Sequence, residues 1–132
     1  MTFSLHPQLA ADTHHVTDLP LSSVRLMDDA RYPWLILVPR VDGLRDLHDL
    51  DETRHAQAFA EITRASHALA QLYHPYKINV AALGNQVEQL HIHVIARQTD
   101  DPAWPGPVWG VGAAVPYEEA DVAIAALREA LG

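Results

Sequence analysis

One segment leaves the chain little choice of structure. Between Asp49 and Pro75 the residues Phe59, Ile62, Ser66, Leu69 and Tyr73 recur every three or four positions. That spacing draws one buried stripe along a helix and fits no strand. Asp49 and Glu52 are spaced as an N-cap and its reciprocal third residue, and Pro75 marks the end. Everything else must be arranged around this helix. Residues 12–28 alternate loosely between apolar and polar around Pro20, which predicts two short strands with Val24, Leu26 and Asp28 on one face. The run WLILV at 34–38, stopped by Pro39, predicts a central strand covered on both faces. Residues 77–83 and 88–96 read as further strands flanking a turn at Gly84-Asn85. The proline-rich stretch 100–116 reads as an irregular surface loop and 121–131 as a short terminal helix. Strands before and after one long helix give an α+β fold with an antiparallel sheet of about five strands. With 132 residues and no repeat, low-complexity tract or linker, one domain over residues 1–132 is expected.

Composition then narrows the function. Seventeen acidic against nine basic residues give a formal net charge of −8, which repels a nucleic-acid backbone. A small nucleotide remains admissible, because a few local donors can hold its phosphates. No apolar run approaches the roughly 20 residues of a membrane helix, and no basic-then-apolar leader opens the chain, so no membrane partner is expected. The absence of cysteine excludes disulfides, thiolate metal sites and cysteine nucleophiles, and fits a cytoplasmic location.

The chemistry concentrates in QLHIHVIAR, residues 89–97. On a strand, Gln89, His91 and His93 share one face, roughly 7 Å apart from one to the next, while Leu90, Ile92 and Val94 share the other. Neighbouring imidazoles on a rigid strand suit nucleophilic catalysis or metal ligation, and a solvated, inert pair is the plain alternative. For a metal, no third ligand stands at a habitual spacing. Just upstream, Gly84, Asn85 and Gln86 form a glycine turn with amide side chains able to donate to phosphate oxygens. Asp28 and Asp29, at the end of an earlier strand, are carboxylates of the kind that accept ribose hydroxyls. Taken singly, a plain hairpin turn at Gly84-Asn85 and a solvated turn of the aspartates before Pro33 are the stronger readings.

Taken together these stretches resemble the histidine-triad family, whose signature strand reads His-φ-His-φ-His-φ-φ with φ apolar. The resemblance extends through INVAALG and GNQVEQ, through WLILVPR and the acidic residue before it, and to DDPAWPGPVWG, covering roughly residues 16–109. It implies a nucleotide hydrolase or nucleotidyl transferase with no cofactor, acting on a small nucleotide ligand, commonly as a homodimer. His91 would be the nucleophile at the α-phosphorus, and His93 would orient the site and donate to a phosphate oxygen. Gly84, Asn85 and Gln86 would contact the phosphate, Asn79 the ribose or phosphate region, Asp28 or Asp29 the ribose, and Leu26 and Leu5 the base. Two positions depart from the family pattern. Gln89 stands where the triad's first histidine belongs, and Trp34 where a further family histidine belongs. Glutamine can position a neighbour but cannot hold or release a proton near neutral pH. A catalytically weak nucleotide-binding module is therefore the alternative that the sequence leaves open, with a metal-binding His-x-His protein behind it.

Overall fold

The computed structural model describes residues 2–132. The chain begins with a short helix α1 (Pro7–Asp12) and continues through β1 (Thr13–Asp18), β2 (Ser22–Met27) and β3 (Trp34–Pro39). A 3-10 turn (Leu47–Asp49) leads into the long helix α2 (Glu52–Tyr73), and β4 (Lys77–Ala81), β5 (Ile92–Arg97) and α3 (Ala120–Leu131) complete the chain. The five strands form one antiparallel sheet in the order β1-β2-β3-β5-β4, as the α+β reading expects.

Period-two alternation divides the side chains of β3 and β5 between two covered faces. Leu35, Leu37, Ile92, Val94 and Ala96 pack with Ile62, Ala65 and Leu69 of α2 and with Leu127 and Leu131 of α3. On the opposite face Trp34, Ile36, Val38 and Ile95 pack with Leu9, Tyr32 and Val108. The second face is thus covered by α1 and by the proline-rich loop, which is a packed layer as well as a connection. Burying both faces of β3 and β5 is what holds the histidine-bearing strand rigid.

Several local expectations are corrected. Asp51, not Asp49, caps α2, its carboxylate accepting from the Arg54 N–H at 2.9 Å. Asp49 instead closes the preceding 3-10 turn reciprocally with Asp46. Both are acidic residues just ahead of the same apolar stripe, and the extra turn shifts the cap by two positions. Phe59 is 61% exposed, because the buried face of α2 runs through Ala58, Ile62, Ala65, Ala68 and Leu69. Glu61 on that face is buried, and its carboxylate receives the backbone N–H groups of Leu21 (2.7 Å) and Ser22 (2.9 Å), tying the β1–β2 turn to the helix. Losing such a doubly bonded acceptor costs about 1–3 kcal/mol for each donor left buried. β4 stops at Ala81 and β5 begins only at Ile92, so residues 82–91 form one open loop and Gln89 and His91 lie just ahead of the strand.

The two sheet edges differ. The β1 edge is covered by α3, whose Arg128 donates to the Val16 carbonyl at 2.8 Å, beside an irregularity in the β1–β2 register. At the other edge β4 carries Val80, which is exposed, as are Tyr76 just before it and Phe59 on α2.

Candidate functional site

Strand register sets the first contact of the site. β3 and β5 pair with Trp34 opposite Ile95 and Ile36 opposite His93. Diagonal neighbours on one face come within reach of long side chains, and the Trp34 indole N–H donates to His93 Nδ1 at 3.0 Å. An indole nitrogen only donates, so Nδ1 is the unprotonated acceptor and the ring proton sits on Nε2. Nε2 in turn donates to the Leu83 carbonyl at 3.0 Å. Burial, reinforced by the neighbouring His91, pushes the His93 pKa down to about 4, with the Leu83 carbonyl opposing the shift. His93 is therefore a fixed, neutral ring. The expected donation to a phosphate oxygen is not in place here, because the Nε2 proton is already given to Leu83.

His91 carries the opposite tautomer. Its Nδ1 lies 2.7 Å from the Gln89 carbonyl, which can only accept, so the proton is on Nδ1 and Nε2 bears a free lone pair. Among the described residues Nε2 has no hydrogen-bond partner, and the ring lines a cleft of about 410 Å³. Burial also lowers the His91 pKa; the Gln89 carbonyl opposes this, and charge on His6 adds to it. The two rings pack edge to face with centroids 4.9 Å apart, and Trp109 closes over His93 at 5.0 Å. His91 and His93 do not converge on a common point as metal ligands, since only His91 has a free nitrogen. Among the described residues no three His, Asp or Glu side chains form a metal-holding group.

Gly84, Asn85 and Gln86 form one wall of the cleft. A Cβ on Gly84 would lie 2.5 Å from the Val87 carbonyl oxygen and 3.0 Å from His91 Cε1. Only glycine lets the loop backbone close on the histidine. The amide groups of Asn85 and Gln86 are exposed at this wall. Leu9 and Asp12 of α1 form another wall.

Other residues singled out in the sequence are placed elsewhere. The Asp28 carboxylate accepts from the Tyr117 N–H and pairs with His14 at 3.0 Å, contacts that hold its pKa below the usual carboxylate range. Asp29 is buried, gripping Arg31 through two side-chain bonds and receiving the Arg31 and Val115 N–H groups. Asn79 Oδ1 accepts from the buried guanidinium of Arg97 at 2.9 Å. None of the three lines the cleft, and each serves as a local tie in the fold. Leu26 packs in the helix-facing core, away from the cleft, while Leu5 packs against the Trp34 cluster. The Gln89 side chain turns away from His91 and bonds to the N-terminal segment. Asp12, Leu9 and Trp109 are among the cleft-lining residues that the sequence does not mark as site residues. Trp109 sits within a stretch that carried the resemblance, but α1 is too short to leave a periodic signal.

The neutral state of His93 has a measurable consequence. Its folded pKa of about 4 lies below the ordinary 6.5, so between those values the unfolded chain binds the extra proton. Stability is therefore fully present above pH 6.5 and falls as pH drops toward 4, by at most ~3 kcal/mol from this ring. His91, shifted in the same direction, adds to the slope. Trp34→Phe removes the donor that favours the neutral ring. It should cost about 1–3 kcal/mol at pH 7 and flatten the acid slope as the His93 pKa climbs. Urea unfolding of both proteins at pH 7 and pH 4.5 checks this, and parallel slopes would contradict it.

Residues 8–100 match the family model described as the HIT domain. A histidine triad protein from Bradyrhizobium japonicum is 48% identical over 100% of both chains, with a TM-score of 0.97. One from Marinobacter aquaeolei is 45% identical over 99% of this chain and 97% of its own, with a TM-score of 0.96. A hypothetical histidine triad nucleotide-binding protein from Sulfolobus tokodaii, only 12% identical, shares the fold over 90% of this chain and 83% of its own, with a TM-score of 0.68. No curated protein sequence gives a significant match. A family match across most of the chain and near-superimposable relatives over its whole length lead to one conclusion: the chain belongs to the histidine-triad (HIT) family.

Proposed function

We propose that the protein is a nucleotide hydrolase or nucleotidyl transferase acting at the α-phosphorus of a nucleotide derivative, of the nucleoside phosphoramidate or dinucleoside polyphosphate type. The observation that carries this reading is the tautomer of His91: Nδ1–H is held by the Gln89 carbonyl and the Nε2 lone pair is free in the cleft. A neutral imidazole so held is a poised nucleophile. Nε2 attacks the α-phosphorus, the bond from phosphorus to the leaving amine or phosphate breaks, and a nucleotidyl-histidine forms. The Gln89 carbonyl stabilises the positive charge that develops on the ring. Water then attacks the same phosphorus, releasing the nucleoside monophosphate and restoring His91. Asn85 and Gln86 supply amide donors for the phosphoryl oxygens, with Gly84 allowing their loop to close on the histidine. His93 backs the nucleophile as a rigid neutral neighbour. Asp12 is the carboxylate among the lining residues and the acceptor suited to ribose hydroxyls.

One observation favours a second reading, a nucleotide-binding module with little turnover. Gln89 carries no exchangeable charge, and both His93 nitrogens are engaged, so neither readily protonates a leaving amine. Single-turnover reaction with a labelled nucleoside phosphoramidate separates the two. The catalytic reading expects label on His91 of the wild-type protein, and a rate loss above about a thousandfold in His91→Ala. Wild-type protein that binds nucleoside monophosphate yet never acquires label, under conditions where an active relative does, would leave only the binding module.

The same reading includes pairing of two copies into a homodimer, for which the open β4 edge with exposed Val80, and Tyr76 just before it, supplies the surface. Sedimentation should show a dimer that Val80→Lys weakens. A wild-type monomer at the working concentration would remove this part.

A further inference from the structure

Gln89 does two things at once. Its backbone carbonyl receives the Nδ1 proton of His91 at 2.7 Å. Its side chain, pointing the other way, grips the N-terminal segment: Oε1 accepts from the His6 N–H at 2.8 Å and Nε2 donates to the Ser4 carbonyl at 2.8 Å. The partners are 83 and 85 residues distant in sequence. A primary amide donates and accepts side by side, so it can pair with a stretch of backbone much as a neighbouring strand would. A carboxylate could satisfy only the His6 donor.

The gripped segment runs directly into a wall of the cleft. His6 caps α1, its Nδ1 accepting from the Gln8 N–H at 3.0 Å, and Pro7 occupies the first helical position. Leu9 is buried against the cluster containing Trp34 and Ile36, and the Thr13 hydroxyl donates to its carbonyl. Leu9 and Asp12 then line the same cleft as His91. A helix of six residues has too few internal bonds to hold its own position; its C-terminal end is held by Leu9, by Thr13 and by the Asp28 N–H donating to the Asp12 carbonyl at 2.9 Å, and its N-terminal end by the clamp at residues 4–6. The segment also lies close enough for charge on His6 to be felt at His91.

We propose that Gln89 is a positioning residue that clamps the N-terminal segment so that α1 stands as a fixed wall of the nucleotide cleft, making the side chains of Leu9 and Asp12 part of substrate recognition. The exchange of histidine for glutamine at the first triad position thus replaces proton handling with the anchoring of a substrate wall. The inference rests on the proposal that this cleft binds a nucleotide.

The test uses the full chain as wild type, Gln89→Ala and Gln89→Glu, with three readouts: amide hydrogen exchange over residues 4–12, calorimetric Kd for adenosine monophosphate, and KM and kcat for an adenosine phosphoramidate. In Gln89→Ala the His6 amide and α1 should lose protection, and Kd and KM should rise about tenfold. Over the same change kcat should alter by less than about threefold, because the main-chain carbonyl still holds His91. Gln89→Glu keeps the acceptor for His6 and loses the donor to Ser4, so it should fall between the other two in exchange and in Kd. Unchanged protection of residues 4–12 in Gln89→Ala would overturn the proposal. So would a fall in kcat at constant KM, which would place the side chain in the chemistry instead of the wall. Exchange and Kd decide the matter even if wild-type protein turns over no phosphoramidate, so failure of the catalytic reading and failure of the clamp are separately visible.

Discussion

The hydrogen bond from the Trp34 indole to His93 Nδ1 is the contact on which the rest of the site depends. An indole nitrogen can only donate and a carbonyl can only accept, so Trp34 on one side and Leu83 on the other leave His93 one protonation state. A charged His93 beside His91 would hold the second ring neutral by repulsion alone, but it would place a buried charge in the middle of the sheet face. A neutral His93 avoids that charge and still packs edge to face against His91. The Leu83 carbonyl that takes its proton also pins the start of the loop carrying Gly84, Asn85 and Gln86. One buried ring thus links the indole of β3, the Gly84–Gln86 loop and the His91 ring.

The division of labour between the sheet's two faces explains how such a polar site survives beside a core. Ile92, Val94 and Ala96 commit one face of β5 to α2 and α3, which leaves the other face free to carry His93 and Arg97. Each of those buried polar groups is satisfied: His93 by Trp34 and Leu83, Arg97 by Asp101, Asn79 and the Gly106 carbonyl. Unmatched groups at this depth would each cost about 1–3 kcal/mol. The acidic surface implied by a net charge of −8 does not reach into this arrangement, where the cleft carries one carboxylate, Asp12, among its lining residues.

Much of this was legible in the sequence because it derives from short-range periodicity. The alternation of Gln89, His91 and His93 against Leu90, Ile92 and Val94 placed the latter three in apolar clusters, and the 34–38 run placed β3 at the centre of the sheet. What escaped depends on contacts distant in sequence or on elements too short to show a period. Asp28, Asp29 and Asn79 look like ligand groups when only their chemistry is visible, and their partners His14, Tyr117, Arg31 and Arg97 become evident only in three dimensions. The cap at Asp51 was displaced by a 3-10 turn with its own acidic pair. The wall formed by α1 is six residues, too short to show an amphipathic stripe, and the segment just ahead of it is bonded to Gln89 more than eighty residues on in the sequence. In the sequence Gln89 is the place where a triad fails to begin; in the structure its side chain fastens the N-terminal segment.

The most direct measurement is the tautomeric state of the two rings, read from long-range proton–nitrogen NMR correlations of the imidazoles in uniformly labelled protein at pH 7. The expected result is a pair of opposite neutral tautomers, with the proton on Nδ1 of His91 and on Nε2 of His93, and with His93 still neutral at pH 5.5. Two rings of the same tautomer, or a His93 that takes up a second proton near its ordinary value of 6.5, would contradict the arrangement and remove the physical basis for a poised His91.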